Sequence, residues 1–284
     1  MYKFTETVQD VSSYTGTMSR GRYVKFGDWP QTVKDNSVTI KKQAFTRGSL
    51  TYHLGSDGNY CVEQSNKYYK VEPIVWRVLT ENFVPTGKAL LLAEKILTSG
   101  FQWDDDSNNY MESYIRRWLN GNSGVTKFSD YSGAPGFLQS AFPISAQDKI
   151  AETTVDNSKV STNPDKSPTL WQNGENPYVC DDTTDKIFLL SQQEVTAADY
   201  GFAAYGVSGQ GSIRIRVTTD YAKATGADQN TTPSYGGCWW LRSPSYSQVD
   251  AACRINYDGH AYGYNDFVSV TNNGVVPALS ISLQ

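Results

Sequence analysis

Gly236-Gly237-Cys238-Trp239-Trp240-Leu241-Arg242-Ser243-Pro244 and, further on, Gly274-Val275-Val276-Pro277-Ala278-Leu279 are the two stretches on which the reading of this chain turns. Both are apolar, carry no more than one charge and are punctuated by glycine and proline, the pattern of short buried strands held between tight turns. Between them runs a segment of different character, with Tyr246, Ser247, Gln248, Asp250, Arg254, Asn256, Tyr257, Asp258, His260, Tyr262, Tyr264, Asn265 and Asp266. The two boxes read as a frame and the segment 245–266 as a surface presented by it. In Ala251-Ala252-Cys253-Arg254-Ile255-Asn256 a strand period puts Cys253 and Ile255 on one face, and Ala252, Arg254 and Asn256 on the other.

The rest of the chain is large enough to be that frame. Its 284 residues suffice for a substantial core, and 39% hydrophobic against 19% charged residues mark a globular chain. The net charge of −4 provides no basic field, which argues against nucleic acid as a partner. No apolar run reaches the ~20 residues of a transmembrane helix. The N-terminus lacks the order of a signal peptide; a cell-surface or extracellular protein, lipid-anchored, is expected if a leader has been removed, and a cytoplasmic one is the alternative as the sequence stands. The aromatic excess, 19 Tyr and 7 Trp, divides by role: the tryptophans are expected in the core, the clustered C-terminal tyrosines on the surface.

Outward from the boxes, residues 1–21 read as a flexible lead-in and 22–284 as one α+β domain. Tyr23–Gln31 reads as a strand stopped by Gly27 and Pro30. Pro73–Leu79 and Lys88–Lys95 read as a hairpin across Pro85-Thr86-Gly87, the second strand buried on both faces. Asn109–Asn120 carries Met111, Tyr114, Ile115, Trp118 and Leu119 at helical spacing, with Gly121 as its stop. A second helical piece runs from Gly136 to Pro143. Residues 151–180 form an irregular insertion, followed by a strand at Lys186–Ser191. A helix at Gln192–Tyr200 is expected from a capping box of Ser191 and Glu194, and another short helix ends at Gly226.

Tests for chemistry are negative. With only His53 and His260, a multi-histidine metal site is excluded, and His53 reads as structural. No phosphate-binding glycine loop or nucleophile elbow is present, and no cofactor or metal is expected. Asp104-Asp105-Asp106 lacks the spacing of a calcium loop and reads as solvated. The four cysteines form no C-x-x-C pair; a Cys238–Cys253 bridge would add ~3 kcal/mol, but buried free thiols are the simpler expectation.

The boxes also occur in a recognisable order. Val24-Lys25-Phe26-Gly27-Asp28-Trp29-Pro30-Gln31, Pro73–Leu79, Leu90–Leu97, Ile115-Arg116-Arg117-Trp118-Leu119-Asn120, Phe137-Leu138 with Ala141-Phe142, Ile187–Ser191, Tyr221-Ala222-Lys223-Ala224 and the paired-tryptophan box are followed by the closing box. This resembles, over residues 22–283, a bacterial domain family of unassigned function marked by that Trp-Trp-Leu-Arg-Ser-Pro box. The resemblance implies a C-type-lectin-like fold related to formylglycine-generating enzymes, irregular, with short antiparallel sheets and two or more helices. The same fold serves the variable proteins of diversity-generating retroelements, the treponemal ones being similar to this chain. The family usually has an arginine before the closing proline, where this chain has Val276.

The resemblance implies a non-enzymatic receptor- or adhesion-type protein. Trp239, Trp240, Leu241, Arg242, Pro244, Gly274 and Pro277 would be its unvaried scaffold, with the Arg242 guanidinium bound to loop carbonyls or a carboxylate. Tyr246, Ser247, Asp250, Ala252, Arg254, Asn256, Tyr257, Asp258, His260, Tyr262, Tyr264 and Asn265 would be its diversified face within the displayed segment 238–279. The ligand would be a protein or a carbohydrate. Asn codons changed at their adenines yield Tyr, Asp, Ser, His, Gly and Ala, the types that fill 245–266, although ordinary turns use the same residues. An undiversified sugar- or peptide-binding module and a formylglycine-generating-type thiol oxidase are the alternatives; Cys238 and Cys253 do not sit in a context that maps onto the cysteine pair of those enzymes.

Overall fold

Leu90, Leu91 and Leu92 are all fully buried, and the strand that carries them sits inside the main sheet. A computed structural model describes residues 3–11, 21–121, 134–163, 176–207, 213–232, 234–261 and 265–283. Its first strands are β1 (Gln9–Asp10), β2 (Tyr23–Val33), β3 (Ile40–Arg47), β4 (Leu50–Gly55), β5 (Tyr60–Gln64), β6 (Lys67–Phe83), β7 (Lys88–Ala93) and β8 (Lys95–Ile96). The 17-residue β6 is the spine: it pairs antiparallel with β2, β5 and β7. The expected hairpin across Pro85-Thr86-Gly87 is the β6–β7 connection.

Helices α1 (Tyr114–Asn120), α2 (Phe137–Ala141) and α3 (Ile144–Gln147) follow. Then come β9 (Thr153–Val155), β10 (Thr183–Asp185), β11 (Ile187–Phe188), β12 (Val217–Thr218), α4 (Asp220–Thr225), β13 (Trp239–Pro244), β14 (Ala251–Ile255), β15 (Asn265–Phe267) and β16 (Ala278–Ile281). The main sheet has nine strands, running β11-β16-β7-β6-β5-β4-β3, with β2 and β1 attached through β6. The closing box thus delivers β16 between β7 and β11, and β13-β14-β15 form a separate three-stranded antiparallel sheet. The architecture is α+β, with four short helices and several short sheets among the described residues.

Several sequence expectations change in detail. The β2 strand runs through Gly27 and Pro30 because two register shifts absorb them, and Gly27 takes φ +69° in the first. The helical pattern of 109–120 is right, but a 3-10 turn (Tyr110–Glu112) and α1 are separated at Ser113. Ser113 is extended there, and its hydroxyl accepts from Arg116 N, so the chain is capped anew in mid-pattern. The capping box at 191–194 forms, with Ser191 N donating to Glu194 and Glu194 N to Ser191 Oγ. It starts two 3-10 turns and no longer helix, since Ala197 is extended.

The N-terminal stretch is tied down where it is described. Phe4 stacks on Tyr60, Thr5 bonds Asp28, and β1 pairs with β2. Residues 12–20 of that lead-in lie outside the described residues, as does 164–175 of the insertion; β9, a 3-10 turn and β10 border the latter.

Candidate functional site

Every residue of β13 is buried, and its charged member is fully occupied. Arg242 donates to Leu189 O at 2.8 Å, Asp156 O at 2.9 Å and the Glu194 carboxylate at 2.5 Å. The expectation of carbonyls or a carboxylate for this guanidinium therefore holds for both. Ser243 accepts from Gln192 N, so β13 is stitched to the 189–194 loop at two successive residues. The Trp239 indole donates to Arg214 O, and the Arg214 guanidinium to Gly259 O at 2.6 Å. A scaffold tryptophan is thereby linked to the turn 256–260 of the displayed segment. Gly274 lies beside Trp239 with no room for a side chain: a Cβ there would come 2.2 Å from Ile96. Trp240, Leu241, Pro244 and Pro277 are buried with them.

The displayed segment divides into an exposed end and a hydrogen-bonded middle. At the exposed end Tyr246 is 40% and Val249 53% exposed, with Ser247 and Gln248 beside them. Phe267, the cross-strand partner of Ala251, is 50% exposed. In the middle Arg254 pairs with Asp266 at 3.2 Å and donates to Cys238 Sγ and Asn256. Asn256 continues to Asp258, which also accepts from His260 N. Asn265 reaches Ser245. The half-buried Tyr257 packs on Tyr235 at the far end, one strand length of roughly 14 Å from the first.

Two expected surface residues are corrected: Ala252 is fully buried and Asn256 only 5% exposed. They do share the Arg254 side of β14, but β15 places Asp266 opposite Ala252, and Arg254 and Asp258 hold the Asn256 amide. Tyr246 and Ser247 are exposed; Asp250, Arg254, Tyr257, Asp258, His260 and Asn265 are half-buried. Tyr262 and Tyr264 lie outside the described residues. Val249 and Phe267 were missed, because a lone Val and a Phe at the end of a short strand carry no sequence signal of exposure.

The thiols are free. Cys253 faces Gln192 and the core, and burial pushes it up to about 12, whereas Cys238 faces Arg254 and Asn256. They occupy opposite sides of the β13–β14 pair. His53 packs edge-on against Tyr68.

The acidic run is only partly solvated. Asp105 and Asp106 are exposed, but Asp104 is 3% exposed and accepts from the backbone of Asp105 and Tyr114. Burial, with the neighbouring Asp105 carboxylate, pushes the Asp104 carboxyl up to about 6 from 3.8. The native state then holds a proton that the unfolded chain releases. This contribution is complete below pH about 4 and is lost as the pH rises through about 6. Asp104→Asn is expected to flatten the pH dependence of stability in that window, measured by urea unfolding.

A mixed α+β frame carrying a C-terminal segment that is exposed at one end is the class of protein that this geometry defines. Residues 86–283, more than half of the chain, match the model of a family described as Domain of unknown function (DUF6273), and the chain belongs to that family. No curated protein and no solved structure matches it. No helix among the described residues is long and apolar enough to cross a membrane.

Proposed function

We propose that this chain is a non-enzymatic ligand-binding protein that presents residues 245–267 on a rigid frame. In this reading the fold is C-type-lectin-like, and the displayed segment is diversified by a retroelement as in the variable proteins that the sequence resembles. One observation carries the proposal: Tyr246, Val249 and Phe267 are exposed within a segment bounded on both sides by fully buried strands. Apolar side chains held in solvent by a packed frame are the composition of a contact surface, with the Arg254–Asp266–Asn256–Asp258 network as an ordered polar neighbour. Ordering that network before contact lowers the cost of binding.

The test of diversification is the 3′ end of the gene in sibling isolates. Differences confined to adenine positions of a template within codons 245–266 are expected; identical sequences across isolates would sink this part of the reading. The test of the surface is substitution. Tyr246→Ser and Phe267→Ser, both at exposed positions, are expected to change stability by less than ~1 kcal/mol while removing binding to a ligand selected on the parent protein. Loss of folding instead would make these residues core.

A further inference from the structure

Beside the displayed segment lies a pocket of about 490 Å³ lined by Phe101, Gln102, Tyr114, Arg117, Trp118 and Thr271, with Gly100 at its edge. That volume falls within the roughly 300–1,000 Å³ usual for ligand sites. Helical spacing builds one wall, since Tyr114 and Trp118 are one turn apart on α1. Phe101 closes on Trp118 with ring centroids 4.7 Å apart, and the Arg117 guanidinium stands 5.6 Å from the Tyr114 ring. Trp118 is held from behind by Trp29 and Phe137, so its position does not depend on a ligand.

The stretch that supplies one side of the pocket runs on along the displayed segment. Residues 100–108 bond along it: Gly100 N to Thr271 O, Trp103 N to Val268 O, and Asn108 N to Val249 O. Phe267 and Val249 therefore stand along the same segment as the pocket mouth. The rim is acidic. The Tyr114 hydroxyl donates to Asp105 at 2.8 Å, and both Asp105 and Asp106 are exposed.

We propose that this pocket receives an apolar side chain, aromatic or branched aliphatic, from a polypeptide partner that carries Lys or Arg on either side of it. The proposal rests on the ligand-binding reading of the adjacent segment and names the partner's class. Ring surfaces dominate the walls, the Arg117 guanidinium is buried against Tyr114 and the Tyr114 hydroxyl is engaged by Asp105, which leaves Gln102 and Thr271 as the polar side chains facing a ligand, fewer than the hydroxyls of a sugar. A side chain seated against the aromatic wall of the pocket, with further apolar contact at Val249 and Phe267, is the form of a protein hot spot. The exposed aspartates supply the complementary charge that selects a basic flank.

The probes are N-acetyl-Lys-Trp-Lys-amide, N-acetyl-Glu-Trp-Glu-amide and methyl glucopyranoside, followed by amide and indole NMR shifts of the whole chain. The basic peptide is expected to move Gly100, Thr271 and the Trp118 indole, and the acidic one to bind about tenfold more weakly. Asp105→Asn with Asp106→Asn should narrow that difference. Thr271→Trp, which adds bulk from an exposed rim position, should abolish the shifts, and Gln102→Trp should repeat the result if the first variant fails to fold. Shifts from the glucoside alone, equal binding of both peptides, or no shift at the pocket would overturn the proposal. Shifts confined to Arg254, Asn265 and Phe267 would overturn the pocket while leaving the ligand-binding reading intact; shifts at neither place would count against both.

Discussion

Replacing Trp239 with alanine is expected to lower the unfolding free energy by about 3–5 kcal/mol, the range for removing a buried aromatic from a packed core. The side chain is fully buried, and the cavity left behind cannot collapse easily, because Gly274 and Ile96 are already in close contact beside it. The indole N–H is also lost as a donor to Arg214 O. The damage should not stop at stability. Arg214 carries the Gly259 carbonyl, so freeing its backbone oxygen is expected to loosen the turn that holds Tyr257, Asp258 and His260. Urea unfolding gives the first effect. The second is read in the NMR signals of 256–260 under conditions where the variant stays folded, and unchanged signals there would refute the coupling.

The second large effect is expected at Arg242 and Glu194. Their side chains are 2% and 13% exposed, and Glu194 accepts from Arg242 and from Ser191 N together. Glu194→Leu leaves a buried guanidinium without its carboxylate and a loop N–H without its cap, at a cost of about 3–5 kcal/mol. Arg242→Leu should cost a similar amount, since Asp156 O and Leu189 O lose their donor. The two losses share one interaction, so the double variant should be less destabilised than their sum. Strict additivity in a double-mutant cycle of urea midpoints would show that the pair is not coupled.

Much of the frame was legible because its signals are local. The unbroken apolar run of Leu90–Leu92 announced a strand buried on both faces, and the spacing of Tyr114, Ile115, Trp118 and Leu119 announced one face of a helix. The Ser191–Glu194 box was readable as a reciprocal pair of hydrogen bonds over three residues. Lengths were less legible. The strand β2 passes through Gly27 and Pro30, and the helix before Asn120 breaks at Ser113, because bulges and side-chain caps depend on partners that pattern alone does not name.

The candidate surface was legible only as a segment. Strand alternation put Ala252, Arg254 and Asn256 on one side of β14, which is where they lie. Alternation states which residues share a face, however, and not whether another strand covers it. Packing and side-chain contacts decide that: Ala252 is fully buried, Asn256 is 5% exposed and bonded to Arg254 and Asp258, and Arg254 is in an ion pair with Asp266. The exposure of Phe267 and the aromatic pocket between 100–102 and α1 likewise arise from chain segments that meet only in three dimensions.

By itself, then, the sequence determined that the tryptophan box is a buried anchor and that a polar, tyrosine-rich segment follows it, since burial of apolar runs and strand period are properties of neighbouring residues. Only the tertiary structure decided which residues of that segment meet solvent and what holds the anchor. The partners of Arg242 lie 48, 53 and 86 residues away in the chain, and a hydrogen bond over such separations has no local signature.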